Sequence, residues 1–215
     1  MVKLGESPKQ RVKATIALLI AVLFAITLVT VHVIEPEWNF DPISLYSLGP
    51  FGILMRTGFV VLGLAFFSIV TALRGHARPT TLYNADLIML SVAGAGLVTI
   101  GAFNTDATGT SPTLSGLIHS SAANVWSICA IVGILLFAVA FRQNGKRLAI
   151  GRLSRNLGIA LMITYLGGFL GLGPYFTDLQ PRLLFALIVL WISLIAYELR
   201  SGKLTNLAVV QEINN

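Results

Sequence analysis

The segment GAFNTDATGTSPTLSGLIHSSAAN, residues 101–124, places residue types capable of acid–base chemistry at the start of an apolar run. Asp106 lies in the polar stretch, and His119 lies about one helical turn inside the apolar run that resumes at Leu117. An aspartate and a histidine can serve as acid and base, or can ligate a metal ion together. No tight ligand motif such as HxxxH accompanies them, so we predict no metal site.

A second polar stretch, NFDPISLYSLG, supplies Asp41, the third candidate for acid–base catalysis. Its serines lack the motif of an activated nucleophile, so we treat them as binding residues. Two arginines add forked donors that suit a phosphate or carboxylate group. The candidate ligand-binding residues are therefore Ser44, Ser47, Arg56, Asn124 and Arg182.

The composition indicates which elements must position these residues. Of the 215 residues, 55% are hydrophobic and 11% are charged, and the mean hydropathy is +0.82, whereas soluble domains carry roughly 25% charged residues. Runs of about 20 apolar residues fit the hydrocarbon core of a membrane as α-helices. We predict an all-α bundle of six membrane-spanning helices, at about residues 13–34, 51–73, 82–103, 117–141, 156–173 and 182–199.

The distribution of cations predicts the orientation. Two of the fifteen Lys and Arg residues, Arg56 and Arg182, fall on one side of the predicted bundle, which we therefore expect to face outward. Both termini are then cytoplasmic. The cations of the inner side are Lys3, Lys9, Arg11, Lys13, Arg74, Arg78, Arg142, Lys146, Arg147, Arg152, Arg155, Arg200 and Lys203.

We expect one domain over residues 1–215, because the connections are short and no linker is visible. Basic residues beside membrane spans favour lipid headgroups, so membrane lipids are the expected partners and nucleic acid is not. Gly167 and Gly171 predict a close-packed face on the fifth helix. We expect Asp86 to be stabilised by the helix dipole and by Arg74 or Arg78.

The two polar stretches also carry a resemblance. NFDPISLYSLG resembles the DP…S…LG opening of the domain of unknown function 998 family, which comprises small six-span prokaryotic membrane proteins. GAFNTD followed by IHSSAA is similar to that family's G-x-F-x-x-D and downstream histidine. The resemblance covers essentially the whole chain in span count and order. It implies that the positions matching the family pattern are Asp41, Ser44, Ser47, Asp106 and His119.

The fifth connection departs from that pattern. A Gly-rich turn running into a Gln-Arg or Glu-Arg pair is expected there, but Pro181 separates Gln180 from Arg182 in GLGPYFTDLQPR. The family implies a multi-pass protein of a prokaryotic plasma membrane and implies no reaction.

Three functions are compatible with these residues. The first is binding or modification of a lipid-like or other apolar molecule in a polar pocket at the outer face, with Asp41, Asp106 and His119 converging there. The second is a non-catalytic structural or accessory subunit, or a carrier of an uncharged solute, in which the outer polar residues cap helices and pair with one another. The third is a haem protein with His32 and His119 as axial ligands. The sequence does not decide between enzyme and binding protein.

Overall fold

The computed structural model describes residues 8–38, 41–74, 80–143, 148–171 and 174–201. Every regular element among them is helical, which confirms the all-α prediction. The α-helices are α1 (Pro8–Ile34), α2 (Gly52–Leu73), α3 (Thr81–Ala102), α4 (Leu114–Gln143), α5 (Leu148–Phe169) and α6 (Pro174–Arg200). Two short 3-10 helices, η1 (Pro36–Trp38) and η2 (Ile43–Leu48), connect α1 to α2.

The six α-helices form a closed ring. Each helix packs against the next one in the chain, and α6 packs back against α1. The helix α2 also contacts α6 across the ring. One end of the ring carries η1, η2 and the α3–α4 connection, and we call it the outer end because the cation pattern predicts that it faces outward.

Five helices are long and apolar enough to cross a membrane: α1, α2, α3, α4 and α6. The helix α5 is not among them, since it begins eight residues before the predicted span and brings Arg152 and Arg155 into its first two turns. It nevertheless packs between α4 and α6. The described part of the chain is therefore a membrane-type helical bundle in which five spans qualify by length and composition.

Aromatic side chains fill the centre of the ring. The ring of Phe185 on α6 lies 5.2 Å from that of Phe24 on α1, 5.6 Å from that of Phe59 on α2 and 4.9 Å from that of Trp126 on α4. Large apolar side chains also face outward, as with Leu19, which is 63% exposed. A chain with a packed aromatic centre and an apolar exterior suits hydrocarbon as its solvent.

Glycines permit the closest helix crossings. A Cβ atom added at Gly63 would lie 2.6 Å from the Gly94 carbonyl oxygen, and one added at Gly94 would lie 2.9 Å from the Gly63 oxygen. The two backbones of α2 and α3 are therefore in direct contact. Such approaches substitute for the missing hydrophobic force between helices in lipid.

The predicted Gly167–Gly171 face is wrong at Gly171. The helix α5 ends at Phe169, and Gly171 adopts φ 62° in the following turn, where an added Cβ meets nothing within 4 Å. Left-handed backbone of this kind favours glycine after a helix end. The helix α5 instead makes close contacts at Gly158, against Leu135 of α4, and at Gly168, against Gln180 of α6.

Candidate functional site

Hydrogen bonds link residues within the connection between α3 and α4, at the outer end. One carboxylate oxygen of Asp106 accepts the Thr113 hydroxyl at 2.6 Å, and the other accepts the Thr113 backbone N–H at 3.0 Å. The Thr113 hydroxyl oxygen in turn accepts the N–H of Gly116 in the first turn of α4 at 3.1 Å. These bonds satisfy donors that the helix start would leave open, so Asp106 closes the turn onto α4.

The sequence predicts that His119 converges with Asp41 and Asp106, and the described hydrogen bond of its ring is to a backbone carbonyl. His119 is 4% exposed, and its Nδ1 lies 2.8 Å from the Phe103 carbonyl oxygen. The Ser115 hydroxyl donates to the Asn104 carbonyl oxygen at 2.9 Å in the same way. Both side chains of α4 therefore bind the backbone that follows α3.

Arg56, on α2, binds the end of α3 from the side that faces α2. Its Nε donates to the Gly101 carbonyl oxygen at 3.1 Å, and its Nη2 donates to the Ala102 carbonyl oxygen at 3.2 Å. These acceptors are among the last carbonyls of α3, which have no partner within the helix and carry partial negative charge. Arg56 thus caps α3 from α2.

The charge of Asp106 persists at the outer end. Hydrogen bonds from the Thr113 side chain and backbone hold the pKa of the Asp106 carboxyl below its ordinary value, with a smaller contribution from nearby His119. No described hydrogen bond joins Asp106 to His119.

Arg182 belongs to a different cluster, made by α1, η2 and α6. Its Nε donates to Nε2 of His32 at 2.9 Å, and the His32 Nδ1 lies 2.7 Å from the Leu28 carbonyl oxygen. The Tyr46 ring lies 4.8 Å from the His32 ring and is tilted by 42° against it. Burial raises the pKa of the Tyr46 hydroxyl, against an opposing hydrogen bond from Arg182. The described contacts of Arg182 thus include a histidine and a tyrosine.

Glu35 lies beside this cluster and was not among the predicted site residues. It is 1% exposed, and its Oε1 accepts the Phe51 N–H at 2.7 Å at the start of α2. The other oxygen, Oε2, is buried without a hydrogen-bond partner among the described residues. It lies against Gly49, where an added Cβ would come within 2.4 Å. The sequence signal that could have identified Glu35 is its position in EPEW, residues 35–38, between two predicted spans.

The remaining candidates do not form one cluster through their described hydrogen bonds. The Ser47 hydroxyl donates to the Ser44 carbonyl oxygen at 2.6 Å, inside η2. The Asn124 side chain joins α4 to α5, because its Oδ1 accepts the Tyr165 hydroxyl at 2.9 Å. Asp41 is half-buried between η1 and η2, and no described hydrogen bond joins it to Asp106 or His119.

An open groove, which sequence reasoning did not predict, lies between α3 and α4 in the outer half of the bundle. Its volume is about 480 Å³, and it is lined mostly by apolar atoms. The lining residues include Val92, Ala95, Gly96 and Thr99 on α3 and Leu117, Ser121 and Val125 on α4. Gly96 sets its floor, since a Cβ there would lie 2.8 Å from the Trp126 Cβ.

Comparison with known proteins places the chain in a family. The family model described as "Protein of unknown function (DUF998)" matches residues 18–198, which is most of the chain. The chain belongs to this family. No curated protein and no solved structure matches the chain. Membership in the DUF998 family confirms the predicted resemblance and attaches no reaction to it.

The residues that the sequence resemblance singled out lie in two places. Asp41, Ser44 and Ser47 lie before α2, and Asp106 and His119 lie at the α3–α4 connection. In this DUF998 member, the described hydrogen bonds at one place are separate from those at the other.

The haem alternative receives no support from the histidines. Both ring nitrogens of His32 are hydrogen-bonded, one to Arg182 and one at the Leu28 carbonyl, so neither presents a lone pair to iron. Among the described residues, no group of three or more His, Cys, Asp or Glu side chains is arranged to hold a metal ion.

Proposed function

We propose that this DUF998 member is a multi-pass membrane protein that binds a lipid-like molecule with an uncharged head in the groove between α3 and α4. The groove itself carries the proposal. It is open along the side of two helices apolar enough to cross a membrane, so a tail enters it directly from the bilayer. Small residues, Ala95 and Gly96, make room where larger side chains would close it.

The lining favours a hydrocarbon tail. Thr99 is the polar residue of α3 in the groove, and its hydroxyl already donates to the Ala95 carbonyl oxygen at 3.0 Å. It therefore presents its methyl group without leaving a donor unpaired. Burial of apolar surface and close contact with a groove wall then hold the tail.

The polar end of the groove favours an uncharged head. The carboxylate of Asp106 lies against Gly116, since a Cβ there would come within 1.9 Å of it, and Leu117, the next residue, lines the groove. A phosphate or carboxylate head at this end would meet that negative charge. Arg56 does not offset it, because its guanidinium is bonded to the end of α3 on the α2 side. Ser121, exposed in the groove, supplies a hydroxyl for a neutral head.

A non-catalytic structural role is the second candidate, and a different observation favours it. Asp106, His119, Arg56 and Asn124 all bond to other groups of the chain. In this role, Asp106→Asn and His119→Ala reduce stability and have little other effect.

Photolabelling tests the groove. In phosphatidylcholine vesicles, a photoreactive diacylglycerol should label peptides containing residues 92–99 and 117–125 several-fold more than other exposed helix faces. Ala95→Phe should reduce this labelling by about tenfold, because the new ring occupies the groove. Ala186→Phe is the matched control, since Ala186 is exposed on α6.

The same experiment separates the alternatives. Uniform labelling of all lipid-facing helices, unchanged by Ala95→Phe, contradicts the groove proposal. Stronger groove labelling by a photoreactive phosphatidate than by the diacylglycerol contradicts the uncharged head and leaves the groove itself standing.

We also propose six spans with both termini cytoplasmic, supported by the cation distribution and by the position of α5 in the ring. Cysteine labelling from outside the cell should reach a cysteine placed at Thr108, in the α3–α4 connection, and miss one placed at Asn144. The parent protein gives the background level of labelling, because its own cysteine, Cys129, is half-buried in α4. The reverse labelling pattern contradicts the orientation.

A further inference from the structure

Asp86 is the only charged residue of α3, and its environment differs from the predicted one. Its side chain is 0% exposed, and both carboxyl oxygens lack a hydrogen-bond partner among the described residues. The expected partner Arg74 is exposed after the end of α2. The other expected partner, Arg78, lies outside the described residues. Stabilisation by Arg74 is therefore not observed.

The helix crossings show what surrounds Asp86. On α3, Gly94 meets Gly63 of α2, and Leu90 meets Gly133 of α4. Asp86 is one turn beyond Leu90, and neighbouring helices run antiparallel, so it lies level with the last turn of α2 and with Phe137 of α4. Phe137 is buried, and the last turn of α2 is buried and apolar except at half-buried Thr71, whose hydroxyl donates to the Ser68 carbonyl oxygen. Asp86 therefore lies between α2 and α4, inside the inner half of the bundle.

Neither carboxyl oxygen of Asp86 is bonded to a charged side chain of the residues that the structure describes. Arg56 and His119 are bonded at the outer end. Tyr83 donates its hydroxyl to the Leu73 carbonyl oxygen. Arg74 and Arg142 are exposed. Apart from Asp86, the titratable or charged side chains on α2, α3 and α4, with Arg74 directly after α2, are Arg56, Arg74, Tyr83, His119, Cys129 and Arg142.

A carboxylate in this environment is expensive, because an isolated ion in an apolar interior has no compensating bond. Ionisable groups within membrane spans mark proton and ion pathways for this reason. A metal cation would need several oxygen ligands, and the described residues bring no such group together. A proton requires only the carboxyl group itself.

We propose that Asp86 is a proton-binding site of the bundle. It holds a proton on one carboxyl oxygen while α3 is packed against α2 and α4. It releases that proton to water only when α3 separates from them and the carboxylate becomes hydrated. This site is independent of the groove, which lies in the other half of α3.

Infrared spectroscopy tests the site directly. The protein is purified at neutral pH in a maltoside detergent, which contributes no carbonyl band. The wild-type spectrum should contain the carbonyl stretch of a protonated carboxylic acid, and Asp86→Asn should remove it. Asp106→Asn is the matched control, because Asp106 is an ionised aspartate and its replacement should remove carboxylate bands only.

Either of two results overturns the proposal. One is a wild-type spectrum without a protonated-acid band, which would mean that Asp86 is ionised and has a partner such as Arg78. The other is a band that survives Asp86→Asn. If Asp86→Asn does not fold, Asp86→Glu decides the question, since it should shift the band, and an unshifted band assigns it elsewhere.

Discussion

Replacing Gly94 with valine should lower the free energy of unfolding by roughly 3 kcal/mol, at the upper end of the cost of overpacking. The new side chain would begin with a Cβ 2.9 Å from the Gly63 carbonyl oxygen and 3.0 Å from the Phe66 Cβ. The first of these atoms is backbone and cannot rotate away. The helices α2 and α3 must therefore separate, and the contacts along their whole length weaken.

Ala95→Val is the control for this variant, because it makes a similar change on the next residue of the same helix, which is exposed. Its effect should be within about 0.5 kcal/mol. Thermal unfolding in detergent, followed for both variants, provides the comparison. Equal melting of Gly94→Val and Ala95→Val would show that α2 and α3 do not cross at Gly63 and Gly94.

The helices were predictable because lipid leaves the backbone few choices. An apolar run of about 20 residues must satisfy its own N–H and C=O groups, so its length and position predict a helix. All six predicted runs overlap observed helices. The predicted fifth run begins at about residue 156, because hydropathy falls at Arg155. The observed helix α5 begins earlier, at Leu148, and includes Arg152 and Arg155.

The site was less predictable because the hydrogen-bond partner of each side chain depends on how the helices and turns pack in three dimensions. Sequence correctly marked the outer-end residues as polar side chains in need of partners. It did not show that Asp106 would bond Thr113, seven residues later, or that His32 would meet Arg182, 150 residues away. The first contact depends on the path of one turn, and the second on α6 closing the ring against α1.

Asp86 shows the same limit for helix rotation. Position along the chain placed it near the inner surface, where arginines are frequent. Whether a side chain there faces lipid, water or the core depends on which face of α3 packs against α2 and α4. Gly94 and Leu90 determine that face through their contacts with Gly63 and Gly133, and those contacts are not visible in the sequence.

Replacing Glu35 with alanine should lower the free energy of unfolding by about 2 kcal/mol, the typical range for a hydrogen bond to a charged group. Glu35 joins the end of α1 to the start of α2, since its own N–H donates to the Val31 carbonyl oxygen at 2.9 Å and its Oε1 accepts the Phe51 N–H at 2.7 Å. Alanine leaves the Phe51 N–H without this acceptor. It also leaves a cavity against Gly49, because the side chain is 1% exposed.

The other carboxylate oxygen, Oε2, limits the loss, since alanine also removes a buried oxygen that has no hydrogen-bond partner among the described residues. Glu35→Gln tests this balance: it keeps an acceptor for Phe51 and should lose less stability than Glu35→Ala. Glu37→Ala is the matched control, because Glu37 is exposed two residues later, and its effect should stay within about 0.5 kcal/mol. Hydrogen exchange supplies a local measurement, in which the Phe51 amide loses protection in Glu35→Ala and keeps it in Glu37→Ala. Equal stability and equal protection in the two alanine variants would show that Glu35 does not hold α1 and α2 together.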